Sequence, residues 1–206
     1  MGNQRIIFYV DGFNFYYGLK TKNWRRFYWL DMIKFAQYFV KPHQELKALH
    51  YFSAVPTNIG KAKRQEDFFS ANKLNPLFNL HLGYYSKKDK TCSACGAIHH
   101  SFEEKETDVR IATQMIRDVV QDKCDVSVII SADSDLVPPI EFIREYKPTH
   151  KIITYFPPSR YSANLRAISN TSIKLDGHSN TFNNCLLDNN INHPLGFILS
   201  RPINWV

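Results

Sequence analysis

Short apolar runs alternate with amphipathic segments along the first 175 residues. Runs of β-branched and aromatic residues predict strands, and apolar residues recurring every three or four positions predict helices. The predicted strands are 5–10, 46–55, 77–85, 126–131, 152–156 and a short last strand at 172–175. The predicted helices are 15–19, 32–41, 61–74, 108–121, 136–146 and 162–168. Strands that alternate with helices predict an α/β fold with a mostly parallel central sheet of about five strands, flanked by helices.

The helix at 108–121 has the clearest periodicity. Its apolar residues recur at spacings of three and four, which predicts one buried face consisting of Val109, Ala112, Ile116, Val119 and Val120. Thr107 is predicted to cap this helix.

Two segments depart from this alternation. Residues 86–102 are rich in lysine and contain Cys92 and Cys95, so we expect a loop or small hairpin inserted into a domain that spans 1–175. Residues 176–206 are dense in Asn and Asp with scattered large apolar residues. We expect this extension to pack over the domain or to be exchanged with a partner; a homodimer is one assembly that this allows.

Composition and charge narrow the function classes. The 206 residues carry 26 Lys and Arg against 19 Asp and Glu, a net charge of +7, which favours a polyanionic partner such as nucleic acid. No apolar run approaches the roughly 20 residues of a membrane span, and the N-terminus does not resemble a signal peptide. We therefore expect a cytoplasmic protein whose cysteines are reduced or bind metal.

Carboxylates follow two of the predicted strands. Asp11 ends the first strand, Asp133 and Asp135 follow the strand at 126–131, and Asp108 begins the helix before it. Ligands of open parallel sheets bind beyond the carboxyl ends of the strands. If the two strands are neighbours, the four carboxylates converge, and their repulsion calls for a hard divalent cation such as Mg²⁺ or Mn²⁺. Such a site can activate water for hydrolysis of a phosphodiester.

Each acid alone also has a purely structural explanation. Asp108 could favour the positive end of its helix, Asp133 or Asp135 could cap the next helix, and Asp11 could belong to a turn. Three acids at two strand ends, together with one at a helix start, favour the metal site.

Basic residues predict a nucleic-acid contact. Lys20, Lys22, Arg25 and Arg26 interleave with aromatic residues after the first acidic turn, and Lys61 and Arg64 could extend the track. Cations hold phosphates while aromatic rings stack on unpaired bases. The alternative is an ordinary solvated surface.

Cys92 and Cys95 have the spacing of half a zinc site. Further ligands would have to come from neighbouring histidines, from His81 or from a second chain. Two unligated, reduced cysteines are the alternative, and Cys124 and Cys185 are expected to be packing residues.

Three segments together resemble the LabA-like branch of the NYN domain family, which belongs to the PIN-like nucleases. The first is Val10-Asp11-Gly12-Phe13-Asn14-Phe15-Tyr16-Tyr17-Gly18-Leu19. The second is Glu103-Glu104-Lys105-Glu106-Thr107-Asp108-Val109, similar to a Glu-Lys-x-x-Asp-Val motif, and the third is Ser131-Ala132-Asp133-Ser134-Asp135-Leu136-Val137-Pro138, similar to Ser-Gly-Asp-x-Asp-Phe-x-Pro. Ala132 replaces the glycine of that motif, which would matter if the position required positive φ. Leu136 replaces an aromatic residue.

The resemblance implies a PIN-like three-layer fold and a metal-dependent endoribonuclease with Mg²⁺ or Mn²⁺ at Asp11, Asp108, Asp133 and Asp135. It also implies that Asn14 and Ser131 support the site through hydrogen bonds. Glu103 or Glu104 is a further candidate, as an outer ligand or base, and an ordinary solvated charge run is the alternative. A nucleic-acid-binding or regulatory protein without turnover is the alternative function, and a phosphohydrolase of small phosphate esters is a third.

Overall fold

The computed structural model describes residues 3–91 and 93–205. Seven strands form the central sheet: β1 Gln4–Asp11, β2 Gln44–Ala54, β3 Phe78–Thr91, β4 Ile98–Lys105, β5 Val126–Ile130, β6 Lys151–Phe156 and β7 Thr171–Lys174. The helices are α1 Gly12–Thr21, α2 Met32–Tyr38, α3 Ile59–Asn72, α4 Thr107–Val120, α5 Val137–Tyr146, α6 Ala163–Ile168 and α7 Ser179–Asn184. Within the described residues, no helix is both long and apolar enough to cross a membrane.

The strand order is β4-β3-β2-β1-β5-β6-β7, and every neighbouring pair is parallel except β3 with β4. The prediction of an α/β fold with a mostly parallel sheet is confirmed. The sheet has seven strands rather than about five, because the short strand at 172–175 joins one edge as β7 and the cysteine-containing segment adds β4 at the other.

The segment predicted as an insertion is a β-hairpin of the main sheet. β3 continues past its predicted end and pairs with β4 from Tyr84 opposite Lys105 to Thr91 opposite Ile98. This pairing returns the chain to the sheet's carboxyl edge, where α4 begins.

The sheet changes direction of winding at β1. The chain proceeds from β1 to β2 and β3 on one side, and then returns to place β5 against the other side of β1. The carboxyl ends of β1 and β5 therefore form the switch point at which ligands of open α/β sheets bind.

Alternate residues of β1 supply two separate cores. Ile6, Phe8 and Val10 pack toward α1, α2 and α3, whereas Ile7 and Tyr9 pack toward α4 and α5. The buried face of α4 differs from the prediction: Val109 and Val120 are 69% and 46% exposed, and the buried residues are Thr107, Ile111, Gln114, Met115, Asp118 and Val119.

Several apolar residues of the C-terminal extension lie against the first of these cores. Phe182 of α7 is fully buried, with its ring 4.8 to 6.0 Å from the rings of Phe15, Trp24, Phe27 and Phe35. A small hairpin, β8 Asn190–Asn192 with β9 Ile198–Ser200, follows, and the turn Ile203–Trp205 places Trp205 against Tyr28. Cys124 and Cys185 are buried, as packing residues would be.

Candidate metal centre

Asp11 is the last residue of β1 and the N-cap of α1. One carboxylate oxygen, Oδ1, accepts a hydrogen bond from the Asn14 backbone N–H at 2.9 Å, which fixes the start of the helix. The other, Oδ2, accepts one from the Ser131 hydroxyl at 2.8 Å. A Cβ on Gly12 would lie 2.6 Å from the Phe52 carbonyl oxygen, so only glycine lets α1 begin this close to β2.

The turn after β5 delivers Ser131 and Asp133 to the same edge. Ser131 is fully buried, and its oxygen accepts a hydrogen bond from the Asp133 N–H at 3.0 Å. Asp133 caps the short turn Ser134–Leu136 by accepting from the Asp135 N–H at 3.0 Å. Ala132 lies at negative φ, so this turn does not require the glycine of the family motif.

α4 brings the third acid, Asp108, in its first turn. The helix begins after Glu106, which adopts a left-handed conformation with φ of 73°. Thr107 is not the predicted N-cap: it is the first helical residue, and its hydroxyl donates to Glu104 at 2.5 Å. A Cβ on Gly83 would collide with the Lys105 carbonyl oxygen, so this glycine lets the β4–α4 junction lie against β3.

The structure brings three of the four predicted carboxylates together. One oxygen each from Asp11, Asp108 and Asp133 lies within 4.8 Å of the others. Asp135 is exposed and lies outside this group of three, although its charge helps to raise the pKa of Asp108. Asp11 and Asp133 therefore accept capping hydrogen bonds and also belong to the group of three converging carboxylates.

The electrostatics of the three carboxylates are unbalanced. No Lys, Arg or His in the described part of the chain forms an ion pair with any of them. Burial raises the pKa of Asp11 to about 7, against the opposing hydrogen bonds from Asn14 and Ser131. Burial and the charges of Asp133 and Asp135 likewise raise the pKa of Asp108. A cation would stabilise this arrangement.

Glu104 is a further acid that the sequence left undecided. It is half-buried beside the three carboxylates, and its charge contributes to the raised pKa of Asp11. Burial also raises the pKa of Glu104 itself, while the hydrogen bond from Thr107 opposes this. Glu104 lies opposite Tyr85 in the β3–β4 pairing. The sequence could not predict this position, because the acidic run around Glu104 has no periodicity.

The predicted basic track divides into two groups. Lys20, Lys61 and Arg64 line a cavity of about 310 Å³ that opens beside Gly12. Lys22, Arg25 and Arg26 do not line it. Lys22 pairs with Asp176 at 3.1 Å, the Arg26 guanidinium lies 4.7 Å from the Phe27 ring centre, and Arg25 is exposed in the turn Arg25–Tyr28.

The predicted zinc pair lies partly outside the described residues, because Cys92 is not among them. Cys95 is exposed in the hairpin turn. His81, considered as a further ligand, forms a 2.8 Å hydrogen bond with His50 instead. Zinc at this pair stays a prediction.

The chain shares similarity with an enzyme and with a protein of known crystal structure. The 6-hydroxy-3-succinoylpyridine 3-monooxygenase HspA of Pseudomonas putida is 27% identical, over 69% of this chain and 56% of its own length. The chain thus matches only about half of that relative. The crystal structure of a protein of unknown function, VPA0982 from Vibrio parahaemolyticus, superposes with a TM-score of 0.56 at 18% identity, covering 84% of this chain and 94% of that one. This second similarity supports the fold alone.

A match to a family model over most of the chain identifies the family. The NYN domain model matches residues 5–176, which include every carboxylate described above and end just after β7. Placement in the LabA-like branch stays a prediction. The agreement of this match with the sheet order and the acidic edge leads to one conclusion: the chain belongs to the NYN domain family of PIN-like nucleases.

Proposed function

We propose that the chain is a divalent-metal-dependent endoribonuclease whose ion is held by Asp11, Asp108 and Asp133. The observation that carries the proposal is the convergence of these three carboxylates within 4.8 Å without a balancing cation in the described residues. Oxygen donors of this kind suit Mg²⁺ and Mn²⁺. The Asn14 Oδ1 atom, which is buried without a hydrogen-bond partner in the described structure, also fits a polar ligand nearby.

The surrounding residues have separate roles in this proposal. A bound Mg²⁺ or Mn²⁺ ion supplies Lewis acidity toward a phosphodiester and lowers the pKa of water. Ser131 and the Asn14 N–H hold the two oxygens of Asp11 in place. Asp135, at the exposed rim, contributes through water, and Glu104 is positioned to accept a proton at the oxygen that Thr107 does not occupy.

RNA is the proposed substrate because the net charge of +7 and the cations near the site favour a polyanion. The family is of the nuclease type, and its members typically use divalent metals. The proposed setting is the cytoplasm.

A cleavage assay with a matched variant tests the function. Labelled single-stranded and hairpin RNAs are incubated with the protein in EDTA, Mg²⁺ or Mn²⁺. We expect metal-dependent internal cleavage that Asp11→Asn lowers at least about 100-fold, since it removes a charged ligand. The control is Asp31→Asn, because Asp31 caps α2 through the same 2.9 Å contact to a backbone N–H but lies outside the acidic group.

Two results would overturn the proposal. Residual cleavage that is equal in the native protein and in Asp11→Asn would indicate a contaminant and favour a nucleic-acid-binding protein without turnover. Hydrolysis of bis-p-nitrophenyl phosphate without cleavage of RNA would favour a phosphohydrolase of small esters.

A further inference from the structure

Tyr51 is a buried tyrosine of β2 that lies beside the acidic group. It is opposite Val10, the residue before Asp11, in the β1–β2 pairing, and it is 6% exposed. Its ring carbons Cε1 and Cζ lie 2.6 and 2.9 Å from the position that a Cβ on Gly12 would occupy. Because Cζ carries the hydroxyl, the polar end of Tyr51 lies next to the residue that follows Asp11.

Two acids of the sheet edge act on the Tyr51 hydroxyl. Burial raises the pKa of Tyr51, and the charges of Asp11 and Glu104 raise it further. A phenol is protonated at neutral pH even without such effects. The hydroxyl is therefore a hydrogen-bond donor within electrostatic range of Asp11, the most buried carboxylate of the acidic group.

The Tyr51 hydroxyl has no hydrogen-bond partner among the described residues. Tyr51 instead forms part of the wall of the cavity of about 310 Å³ that opens beside Gly12. A phenylalanine would fill the same space in β2 without an unpaired hydroxyl, so folding alone does not explain a tyrosine at this position. A donor that the protein leaves unpaired in a cavity wall is typical of a group that binds a ligand.

Tyr51 differs from the other tyrosines of the cavity wall. Tyr16 and Tyr28 form a hydrogen bond with each other. The pKa of Tyr85 is raised to about 12 by burial and by an acid of β4. Of these four tyrosines, Tyr51 is the one whose pKa the charge of Asp11 raises, so its hydroxyl is the best placed to contact a ligand of the acidic group.

The cavity provides positive charge for an anionic ligand. Lys20 of α1 and Lys61 and Arg64 of α3 line it, and its described lining contains no Asp or Glu. None of these three cations forms an ion pair with another described residue. A phosphate that is held at the acidic group by a metal ion is therefore attracted toward the wall that contains Tyr51.

We propose that Tyr51 is a catalytic residue whose hydroxyl donates a hydrogen bond to a non-bridging oxygen of the scissile phosphodiester. This inference rests on the proposed function for its substrate class. The hydrogen bond strengthens as negative charge develops on that oxygen in the transition state, so it accelerates the reaction more than it tightens substrate binding. No proton is transferred, and the phenol is unchanged after each turnover.

The variant Tyr51→Phe removes the hydroxyl and keeps the ring. With RNA and Mn²⁺, we expect kcat to fall at least about 10-fold while KM changes less than about 2-fold. The rise in Tm that Mn²⁺ causes should be native, because Tyr51 is not a metal ligand. The urea midpoint should be native as well, because the hydroxyl has no partner to lose.

The matched control is Tyr155→Phe. Tyr155 is also a buried tyrosine of the sheet, at 4% exposed, but its pKa is raised to about 12 by burial, without a contribution from the acids of the sheet edge. Tyr155→Phe should therefore cleave RNA with the kcat and KM of the native protein.

Phosphorothioate substrates test whether the hydroxyl contacts the phosphate. Sulfur is a weak hydrogen-bond acceptor, so the diastereomer that presents sulfur to Tyr51 should be cleaved more slowly than the oxygen substrate by the native protein. In Tyr51→Phe this penalty should shrink at least about 5-fold for that diastereomer, because both changes remove the same interaction. Tyr155→Phe should keep the native penalty.

The outcomes separate this inference from the nuclease proposal. If the native protein cleaves RNA and Tyr51→Phe has a native kcat, a lower urea midpoint or a smaller Mn²⁺ effect on Tm, the catalytic role of Tyr51 is overturned and the nuclease proposal stands. Unchanged penalties for both diastereomers would overturn the contact with the phosphate in the same way. Absence of cleavage by the native protein would overturn the nuclease proposal, and the role of Tyr51 with it.

Discussion

Two buried aspartates, Asp11 and Asp118, face opposite electrostatic surroundings within one small domain. Asp11 is 3% exposed and Asp118 is 1% exposed. Burial raises the pKa of both, but for Asp118 hydrogen bonds from His50, Gln114 and Tyr9 more than offset this and hold its pKa below the ordinary value. Asp11 receives only the Asn14 and Ser131 bonds and lies beside other acids, so its pKa rises to about 7.

The partners explain the difference. Asp118 accepts from the Tyr9 hydroxyl at 3.0 Å and from the Gln114 amide at 2.9 Å, and it pairs with His50 at 3.3 Å and Lys123 at 3.4 Å. These contacts join α4 to β1 and β2 and leave the carboxylate satisfied. Burial of an acid is therefore not by itself a sign of function; burial without a balancing charge is.

The largest effect on stability should come from replacing Asp118, whose charge is balanced and whose carboxylate is hydrogen-bonded. Asp118→Asn leaves His50 and Lys123 without their buried partner, so we expect the free energy of unfolding to fall by about 3 kcal/mol in urea denaturation. The control is Asp122→Asn, because Asp122 pairs with Arg5 and Lys147 at the surface and should tolerate the change. Equal stability of the two variants would remove the distinction between Asp118 and an ordinary surface acid.

The next effect concerns the unbalanced acids. Mn²⁺ or Mg²⁺ at about ten times its dissociation constant should stabilise the native protein by about 1.4 kcal/mol, since the ion binds only the folded state. Thermal unfolding with and without the ion measures this. Asp118→Asn should keep the gain and Asp11→Asn should lose it; stabilisation that survives in Asp11→Asn would place the ion elsewhere.

Removing the charge of Asp11 should have a smaller effect on stability, and it should stabilise the metal-free protein. In EDTA at pH 8, Asp11→Asn removes a buried charge that nothing balances, so we expect it to raise the free energy of unfolding by about 1 kcal/mol despite altered hydrogen bonds with Ser131. Urea denaturation of the metal-free proteins checks this. A loss of stability would mean that the hydrogen bonds to Asp11 outweigh the repulsion.

The sequence predicted the first aspartate and missed the second for physical reasons. Asp11 and Asp133 follow apolar runs, and the end of a parallel strand has a fixed place in the fold. Asp118 lies in a helix whose apolar pattern predicted a different buried face, because the true face includes the polar residues Gln114 and Asp118. A pattern of apolar positions cannot identify a buried stripe that is partly polar.

Other contacts could not be predicted, because they join residues that are far apart in the sequence. The contact of Asp118 with His50, and that of His50 with His81, joins three separate elements, and no local spacing indicates it. The hydrogen bonds from Gln65 to Ser53 and Ala54 likewise join α3 to β2, and no local spacing indicates them. By contrast, the sheet and its acidic edge follow from local runs together with the rule that parallel strands share a carboxyl edge.

The smallest effect extends the comparison to a buried base, His150. Its Nε2 shares a 2.9 Å hydrogen bond with Ser127, its Nδ1 has no partner in the described structure, and it is 3% exposed. Burial, with the nearby charge of Lys147, lowers the pKa of His150 to about 4, although Asp122 and Asp125 oppose this. Unlike Asp11, a histidine in such a site is neutral at pH 7 and carries no charge to be balanced.

The low pKa of His150 makes the free energy of unfolding depend on pH. Because the folded-state pKa of His150 is below the ordinary value of about 6.5, the unfolded chain binds the proton first. This contribution is complete above pH 6.5 and is lost as the pH falls toward 4. His150→Gln should therefore reduce the loss of stability between pH 7 and 5.5 by about 0.5 to 1 kcal/mol, measured by urea denaturation at each pH. His43→Gln, at an exposed histidine, should follow the native curve. If His150→Gln also follows the native curve, His150 is not a buried neutral base, and it no longer contrasts with Asp11.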